Sequence, residues 1–335
     1  MDSPLVTILM PVYNAELFLK RAMDSILNQT YKNIEFLIIN DGSTDNSLAI
    51  IKSYLDTRIV LLENTKNFGL IYSLNIGMEK ATGKYIARMD ADDISHKDRI
   101  QKQCDYMEAN TYVGILGTFI QKENKFKLYA QPNLNSNELK TRLIFTNIFN
   151  HPTIMFRNSF VKEKKISYNQ EFKHAEDYNL WLGIINETEF AILPEYLLFY
   201  ENHPDQISVA FDKEQKAALS KTHHQFFSSI NLNANAEELE IHRRLFYQDY
   251  IFTEAFLEEG EKWIIKIIEN KALQKILGVK ALTKTAAVVW FEVCTHFATN
   301  NVNSTRKYYS SSLCNSNAIA LKSRILFNLK KYLKS

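Results

Sequence analysis

The sequence predicts an α/β fold: a Rossmann-like, mostly parallel central sheet flanked by helices, followed by a helical C-terminal region. Three observations carry this. Short apolar runs alternate with helical periodicity through about the first 120 residues. Polar clusters stop three of those runs, at Pro11 to Asn14, Asn40 to Ser43 and Asp90 to Asp93. After about residue 212 the pattern turns helical, without strand signals. Strand–helix alternation implies parallel strands with helices on both faces, and such sheets bind ligands beyond the carboxyl ends of their strands.

The elements follow in order. Val6 to Met10 reads as a buried strand, and Ala15 to Leu27 as a helix with Phe18, Ala22, Met23 and Ile26 at helical spacing. Ile34 to Ile39 is a second strand. Asp45 then reads as the N-cap of a helix carrying Leu48, Ile51 and Leu55. Arg58 to Leu62 is a third strand. Gly69 to Ala81 is a helix with Leu70, Leu74 and Met78 on one face, ended by Gly83. Lys84 to Met89 is a fourth strand running into Asp90, Lys97 to Ala109 a helix, and Tyr112 to Leu116 a fifth strand. From about 125 to 210 helices and strands mix, with Glu176-Asp177 opening an apolar helix (Tyr178, Trp181, Leu182, Ile185). The domain reading is 1–210 as a catalytic unit, split near 120, and 211–335 as a helical region.

Composition narrows the function classes. The chain has 335 residues, 46% of them apolar, too many for disorder. Forty basic against 38 acidic residues leave a net charge of +2, so there is no nucleic-acid footprint. Nine glycines and six prolines argue against long flexible linkers. Three scattered cysteines, Cys104, Cys294 and Cys314, make neither a disulfide framework nor a zinc ribbon, and fit a reducing cytoplasm. The N-terminus lacks a basic, apolar leader, and no apolar run reaches a membrane span.

Three constellations are candidates for chemistry. If the strand continues through Asp90-Ala91-Asp92-Asp93, Asp90 and Asp92 share a face and Asp93 turns aside or into the next turn. Paired carboxylates on one face suit a hard cation, Mg²⁺ or Mn²⁺, together with substrate phosphates. The alternative is a solvated loop capping the next helix. Asp41 directly follows an apolar strand, so its carboxylate is expected to face the ligand crevice and accept from a nucleobase; neighbouring Gly42, Ser43 and Thr44 also suit a plain turn. Glu176-Asp177 is either a dipole-favoured helix start or a general base. His151 and His203 are lone histidines, each read as structural unless the fold brings it to the acidic cluster.

Taken together, the sequence resembles glycosyltransferase family 2, with its GT-A fold, from about Pro4 to Ser208. The resemblance rests on Val6 to Asn14 (VTILMPVYN), Ile38 to Asp45 (IINDGSTD), Asn67 to Leu70 (NFGL), Asp90 to Asp93 (DADD), Ala175 to Tyr178 (AEDY), and Tyr200 to His203 (YENH) with Gln206 to Ser208 (QIS). It implies an inverting, metal-dependent hexosyl- or N-acetylhexosaminyltransferase of surface polysaccharide synthesis. The donor is a nucleotide sugar, UDP ahead of dTDP and GDP, and the acceptor a glycan or lipid-linked glycan. Residues 1–120 become the nucleotide-sugar half and 121–210 the acceptor half. Pro11, Tyr13, Asp41 and Asn67 are similar to the nucleotide pocket. Asp90 matches the residue on the nucleoside side, Asp92 the Mn²⁺ or Mg²⁺ ligand, Asp177 the base, and His203 a histidine on metal or diphosphate. Leu74 stands where many relatives carry Arg, with Arg88 or Lys66 as substitutes.

Two non-transferring readings compete. A nucleotidyltransferase needs a Gly-rich loop after the first strand, and Pro11 to Ala15 has no glycine. A sugar-nucleotide-binding scaffold would not need a base. From Val293 onward there is no acidic residue, and Ile319 to Leu333 places Ile325, Leu326, Leu329 and Leu333 near one face among Lys322, Arg324, Lys330 and Lys331. This reads as a basic amphipathic helix for an anionic membrane or for a protein surface, consistent with peripheral attachment at the inner leaflet.

Overall fold

The computed structural model describes residues 3–122, 134–201, 211–298 and 304–330. The chain divides into two compact units, Met1–Asn133 with Phe149–Ala218, and Leu134–Ile148 with Leu219–Ser335.

The first unit is built on β1 (Val6–Val12), α1 (Leu19–Leu27), β2 (Ile34–Asn40), α2 (Ser47–Lys52), β3 (Ile59–Glu63), α3 (Leu70–Lys80), β4 (Tyr85–Arg88), β5 (Ile94–Ser95), α4 (Arg99–Ala109) and β6 (Val113–Lys122). The chain then contributes α5 (Ser136–Phe145) to the second unit. It returns for β7 (Met155–Arg157), α6 (Asn158–Glu163), α7 (Glu176–Gly183) and β8 (Glu189–Tyr200). The sheet order is β3-β2-β1-β4-β7-β6-β8-β5. β3, β2, β1 and β4 are mutually parallel, as their alternation with helices predicts. β7 runs antiparallel to β4 and β6, β6 and β8 are parallel, and β5 is antiparallel to β8. Register shifts along β6 and β8 bend this half of the sheet.

The core follows from pattern. Val6, Ile8, Met10 and Val12 alternate along β1, and they pack with Phe36 and Ile38 of β2. On α1, Leu19, Ala22, Met23 and Ile26 fall at i, i+3, i+4 and i+7, and all four join the same cluster with no exposed surface. Each large side chain buried there contributes about 1.5–3 kcal/mol.

Several boundaries differ from the sequence reading for local reasons. The first helix begins at Leu19, not Ala15, because Ala15 O turns the chain by accepting from Phe18 N and Leu19 N. Asp45 is not the N-cap of α2; Asn46 holds that position. The Asp45 carboxylate instead joins two turns, accepting from Ser47 N at 2.9 Å and from Glu16 N at 3.0 Å. α2 stops at Lys52, so Leu55 lies outside it and is 96% exposed. Gly83 does not end α3, whose C-cap is Ala81. A Cβ at Gly83 would meet Thr7 N at 2.5 Å and Tyr85 O at 2.8 Å, so close passage of the chain beside β1 requires glycine there.

The second unit holds α5 and the C-terminal part of α8 (Asp212–Ser229), then α9 (Ala236–Tyr247), α10 (Glu254–Glu269), α11 (Lys271–Leu277), α12 (Val279–Phe297), α13 (Ser304–Ser310) and α14 (Leu321–Lys330). These units are drawn differently from the expected division at 210/211. The stretch 134–148 leaves the proposed acceptor half, because α5 pairs Glu138 with Lys284 and Arg142 with Glu292 of α12. The other boundary falls inside α8. In α14, Phe327 is the buried anchor, packed on Phe291 and Tyr308. Ile325 and Leu326 remain about half exposed, at 50% and 51%. Among the described residues no helix is long and apolar enough to cross a membrane.

His223 and His242 stand edge-on in this unit, 4.4 Å apart, and Trp263 Nε1 donates to His242 Nδ1 at 3.1 Å. Burial pulls both imidazoles below their ordinary value, His242 to about 3. A group with a depressed cationic pKa stabilises the fold above its unfolded pKa, here 6.5, and loses that contribution as pH falls below it. Each histidine should therefore remove about 1.4 kcal/mol per pH unit below 6.5. Thermal unfolding at pH 5 and pH 7.5 should show a lower midpoint at pH 5, with the difference reduced in His242→Phe. An unchanged midpoint would mean the histidines charge without cost.

Candidate active site

The carboxyl ends of β1, β2 and β4 lie side by side because these strands are parallel and adjacent, with Val12 opposite Asn40 and Leu9 opposite Arg88. The loops leaving them open onto a cleft of about 610 Å³ within the first unit. Pro11, Tyr13, Asp41, Asn67, Asp90 and Asp92 all line it. So do the start of α3, Glu176, and a patch of Gln170, Lys173, His174 and Phe211.

Asp41 is placed by the end of β2 but is spent on its own chain. It is 3% exposed, and its Oδ1 accepts from Asn64 Nδ2 at 2.6 Å and Phe68 N at 3.1 Å. Oδ2 accepts from Gly69 N at 2.8 Å. The expectation that it simply faces the crevice is thus corrected: the carboxylate satisfies backbone donors of the 64–69 loop and fixes Asn67 and Phe68 in the wall. Gly42 serves the same junction. Its φ is +67°, and a Cβ would stand 2.4 Å from the Lys66 carbonyl carbon. Asn14, also left-handed at φ 48°, holds the turn after Tyr13 by accepting from Thr44 N at 2.8 Å. Tyr13 stays 46% exposed, offering a ring face at the rim. Phe68 and Tyr72 add a tilted aromatic pair, centroids 4.6 Å apart.

The acidic cluster is tighter than period-two alternation predicts. β4 ends at Arg88 and residues 91–92 bend, so the strand does not continue through Asp93. Asp93 joins the pair: one carboxylate oxygen from each of Asp90, Asp92 and Asp93 lies within 4.8 Å of the others. Asp93 is 1% exposed; its Oδ1 accepts from Glu201 N at 3.1 Å, and its buried Oδ2 has no partner among the described residues. Burial, reinforced by the charges of Asp90 and Asp92, pushes its carboxyl up to about 9. Burial also raises Asp90, which buried Arg88 opposes through an ion pair. The sequence reading missed Arg99. Fully buried at the start of α4, it donates from Nη2 to Arg88 O at 2.6 Å and from Nε to Gln103 Oε1 at 3.0 Å. Burial pulls its guanidinium down to about 9, with Asp93 and Asp90 working to hold it up. Three converging carboxylate oxygens fit a hard cation, Mg²⁺ or Mn²⁺.

Glu176 lines the cleft, whereas half-buried Asp177 is not among its lining residues. Burial, with the charge of Asp177, pushes Glu176 up to about 7. The sequence offered both residues, and only burial separates them. His151 Nε2 is 2.8 Å from Tyr168 Oη, and burial, then the Arg88 charge, pulls the imidazole well below its ordinary value. Leu74, in the position of the family Arg, is a fully buried core residue. Of its two suggested substitutes, Arg88 is already paired with Asp90, and Lys66 lies over the Phe68 ring at 5.2 Å. His203 and the 206–208 motif lie outside the described residues.

Comparison with known proteins identifies the family and the fold. The family model for glycosyl transferase family 2 matches residues 7–170. An uncharacterized glycosyltransferase of Haemophilus influenzae is 36% identical over 234 residues, covering 66% of this chain and 72% of the relative. An O-antigen biosynthesis glycosyltransferase of Escherichia coli, WbnJ, is 35% identical over 208 residues, covering 59% of this chain and 80% of the relative. Among solved structures, Staphylococcus aureus TarS 1–349 with UDP has a TM-score of 0.55 at 16% identity, covering 98% of this chain and 87% of TarS 1–349. The Pyrobaculum calidifontis mannosyltransferase PcManGT with GDP-Man and Mn²⁺ has a TM-score of 0.55 at 17% identity, covering 99% and 86%. At that identity the two structures speak for the fold alone.

Proposed function

The chain belongs to glycosyl transferase family 2, and from that premise we propose that it transfers a sugar from a nucleoside-diphosphate donor to a hydroxyl of a glycan or lipid-linked glycan, with inversion at C1. The observation that carries this reading is the convergence, in one cleft, of the Tyr13 ring, the Asp41-fixed loop and the carboxylates of Asp90 and Asp92.

The roles follow from position and charge. Tyr13 and Pro11 flank the nucleobase, and Asp41 acts by holding Asn67 and Phe68 in place beside it. Asp90 orients the nucleoside side while Arg88, paired with it, favours its ionised form. Asp92, with Asp93 beside it, would hold Mn²⁺ or Mg²⁺, which when bound offsets the charge developing on the departing diphosphate. Asp177 is the proposed base for the acceptor hydroxyl. Burial, then the Asp177 charge, raises Glu176, so at neutral pH Glu176 yields much of its charge, which leaves the base role proposed for Asp177.

UDP is the leading nucleotide; UDP is bound by TarS and GDP-Man by PcManGT, so both belong in the test. A thermal-shift panel of UDP-, dTDP- and GDP-sugars, with and without Mn²⁺, should raise the midpoint for one nucleotide class, and more with the ion. No shift for any donor contradicts the reading. Surface polysaccharide synthesis is the proposed setting, supported by the O-antigen relative.

Peripheral membrane contact belongs to the same proposal, since it would suit a lipid-linked acceptor. Its support is the half-exposed Ile325 and Leu326 on a helix without acidic residues. The full chain should pellet with anionic vesicles, and the Ile325→Glu/Leu326→Glu variant should lose at least about fivefold in binding. Equal pelleting of both forms removes this contact.

A further inference from the structure

The donor, the ion and the base do not use the patch of cleft wall made by Gln170, Lys173, His174 and Phe211. We propose that this patch is an acceptor subsite that takes a sugar ring bearing an anionic group, a carboxylate or a phosphate. The assignment rests on the transferase reading above and names the acceptor class for the same cleft.

His174 has φ of +71°, a left-handed conformation that non-glycine residues adopt at a cost. Its carbonyl accepts from Gln215 Nε2 at 3.0 Å, and its ring lies flat on Phe211, 4.4 Å between centroids at 10°. Two anchors, Phe211 just before α8 and Gln215 within it, therefore hold a strained residue two positions before Glu176. A hydroxyl delivered here arrives beside the Glu176-Asp177 pair. Phe211 keeps 39% of its surface exposed, a large share for a phenyl ring. Sugar rings present faces of C–H groups that an aromatic face removes from water, and concave sites lined this way orient their ligand with a few polar groups.

The polar groups present choose the ligand's charge. Lys173 is exposed and has no carboxylate partner among the described residues; its Nζ stands 6.0 Å from the centre of the Phe211 ring. Burial, then the Lys173 charge, keep the His174 imidazole below its ordinary value, so the ring stacks as a neutral surface and the ammonium is the patch's cation. An ammonium on a flexible stem suits carboxylate or phosphate as a point charge. Gln170 adds an amide able to pair with ring hydroxyls.

The test titrates the full chain, saturated with UDP and Mn²⁺, with three probes read by NMR: methyl β-glucuronide, glucose 1-phosphate and methyl β-glucoside. At least one anionic probe should bind about fivefold or more tighter than the neutral glucoside, a difference of about 1 kcal/mol. Lys173→Gln should bring the probes within about twofold of one another, Lys173→Arg should keep the preference, and Phe211→Ala should weaken all three. Preference for the glucuronide alone identifies a carboxylate-bearing acceptor, and preference for the phosphate alone a phosphorylated one. Equal binding of all three, no binding of any, or a preference that survives Lys173→Gln overturns the subsite. Failure of UDP with Mn²⁺ to bind the wild-type chain would instead overturn UDP as the donor nucleotide.

Discussion

Asp92→Asn is expected to reduce sugar transfer by about 10²–10³-fold or more while raising the thermal midpoint of the ligand-free protein. Both effects come from the same crowding. Asp90, Asp92 and Asp93 bring carboxylate oxygens within 4.8 Å of one another, and the Asp92 charge helps push up both Asp90 and Asp93. Removing it relieves like-charge repulsion that the fold tolerates at a cost. It also removes an oxygen ligand from the ion that would balance the leaving diphosphate. Activity assays alongside melting curves check the pair of outcomes. A variant that loses activity because it is less stable would point to a structural role for Asp92.

Asp177→Asn is expected to lower turnover by about 10²–10⁴-fold with donor affinity nearly unchanged, the signature of a lost general base. Glu176→Gln is expected to cost less, about tenfold, because burial already holds that carboxyl near 7. Steady-state kinetics on both variants, with nucleotide affinity measured separately, decides between them. The reverse order of effects would move the base to Glu176, the member of the pair that lines the cleft.

The outline of the fold was legible because it depends on local periodicity. The parallel strands β1 to β4 and the helices between them are written in alternating apolar runs, and their polar ends converge because parallel strands end on one edge. What stayed hidden depends on contacts distant in sequence. β5 is two residues long and exists only because Ile94 pairs with Phe199 of β8. α5 reads as part of the surrounding sequence, yet its ion pairs reach residues about 150 positions later.

The site shows the same division. Tyr13, Asp41, Asn67, Asp90 and Asp92 line one cleft, and their roles there are proposals. The use of Asp41 was not legible, since its partners Asn64, Phe68 and Gly69 sit 23 to 28 residues away. Arg99 reads as an ordinary charge at the start of a helix; a buried guanidinium bonded to Arg88 O appears only when α4 packs under the acidic cluster. Asp93 was underrated because continued strand alternation was assumed across a bend.

The most direct test of the account is nucleoside-diphosphate release from a nucleotide sugar, measured with acceptor, with and without Mn²⁺ after chelation. An active transferase built around Asp90, Asp92 and Asp93 predicts release that depends on both the ion and the acceptor, and that Asp92→Asn abolishes. Nucleotide-sugar binding without any release, at every ion and acceptor condition, would contradict it and leave a binding protein on a transferase fold.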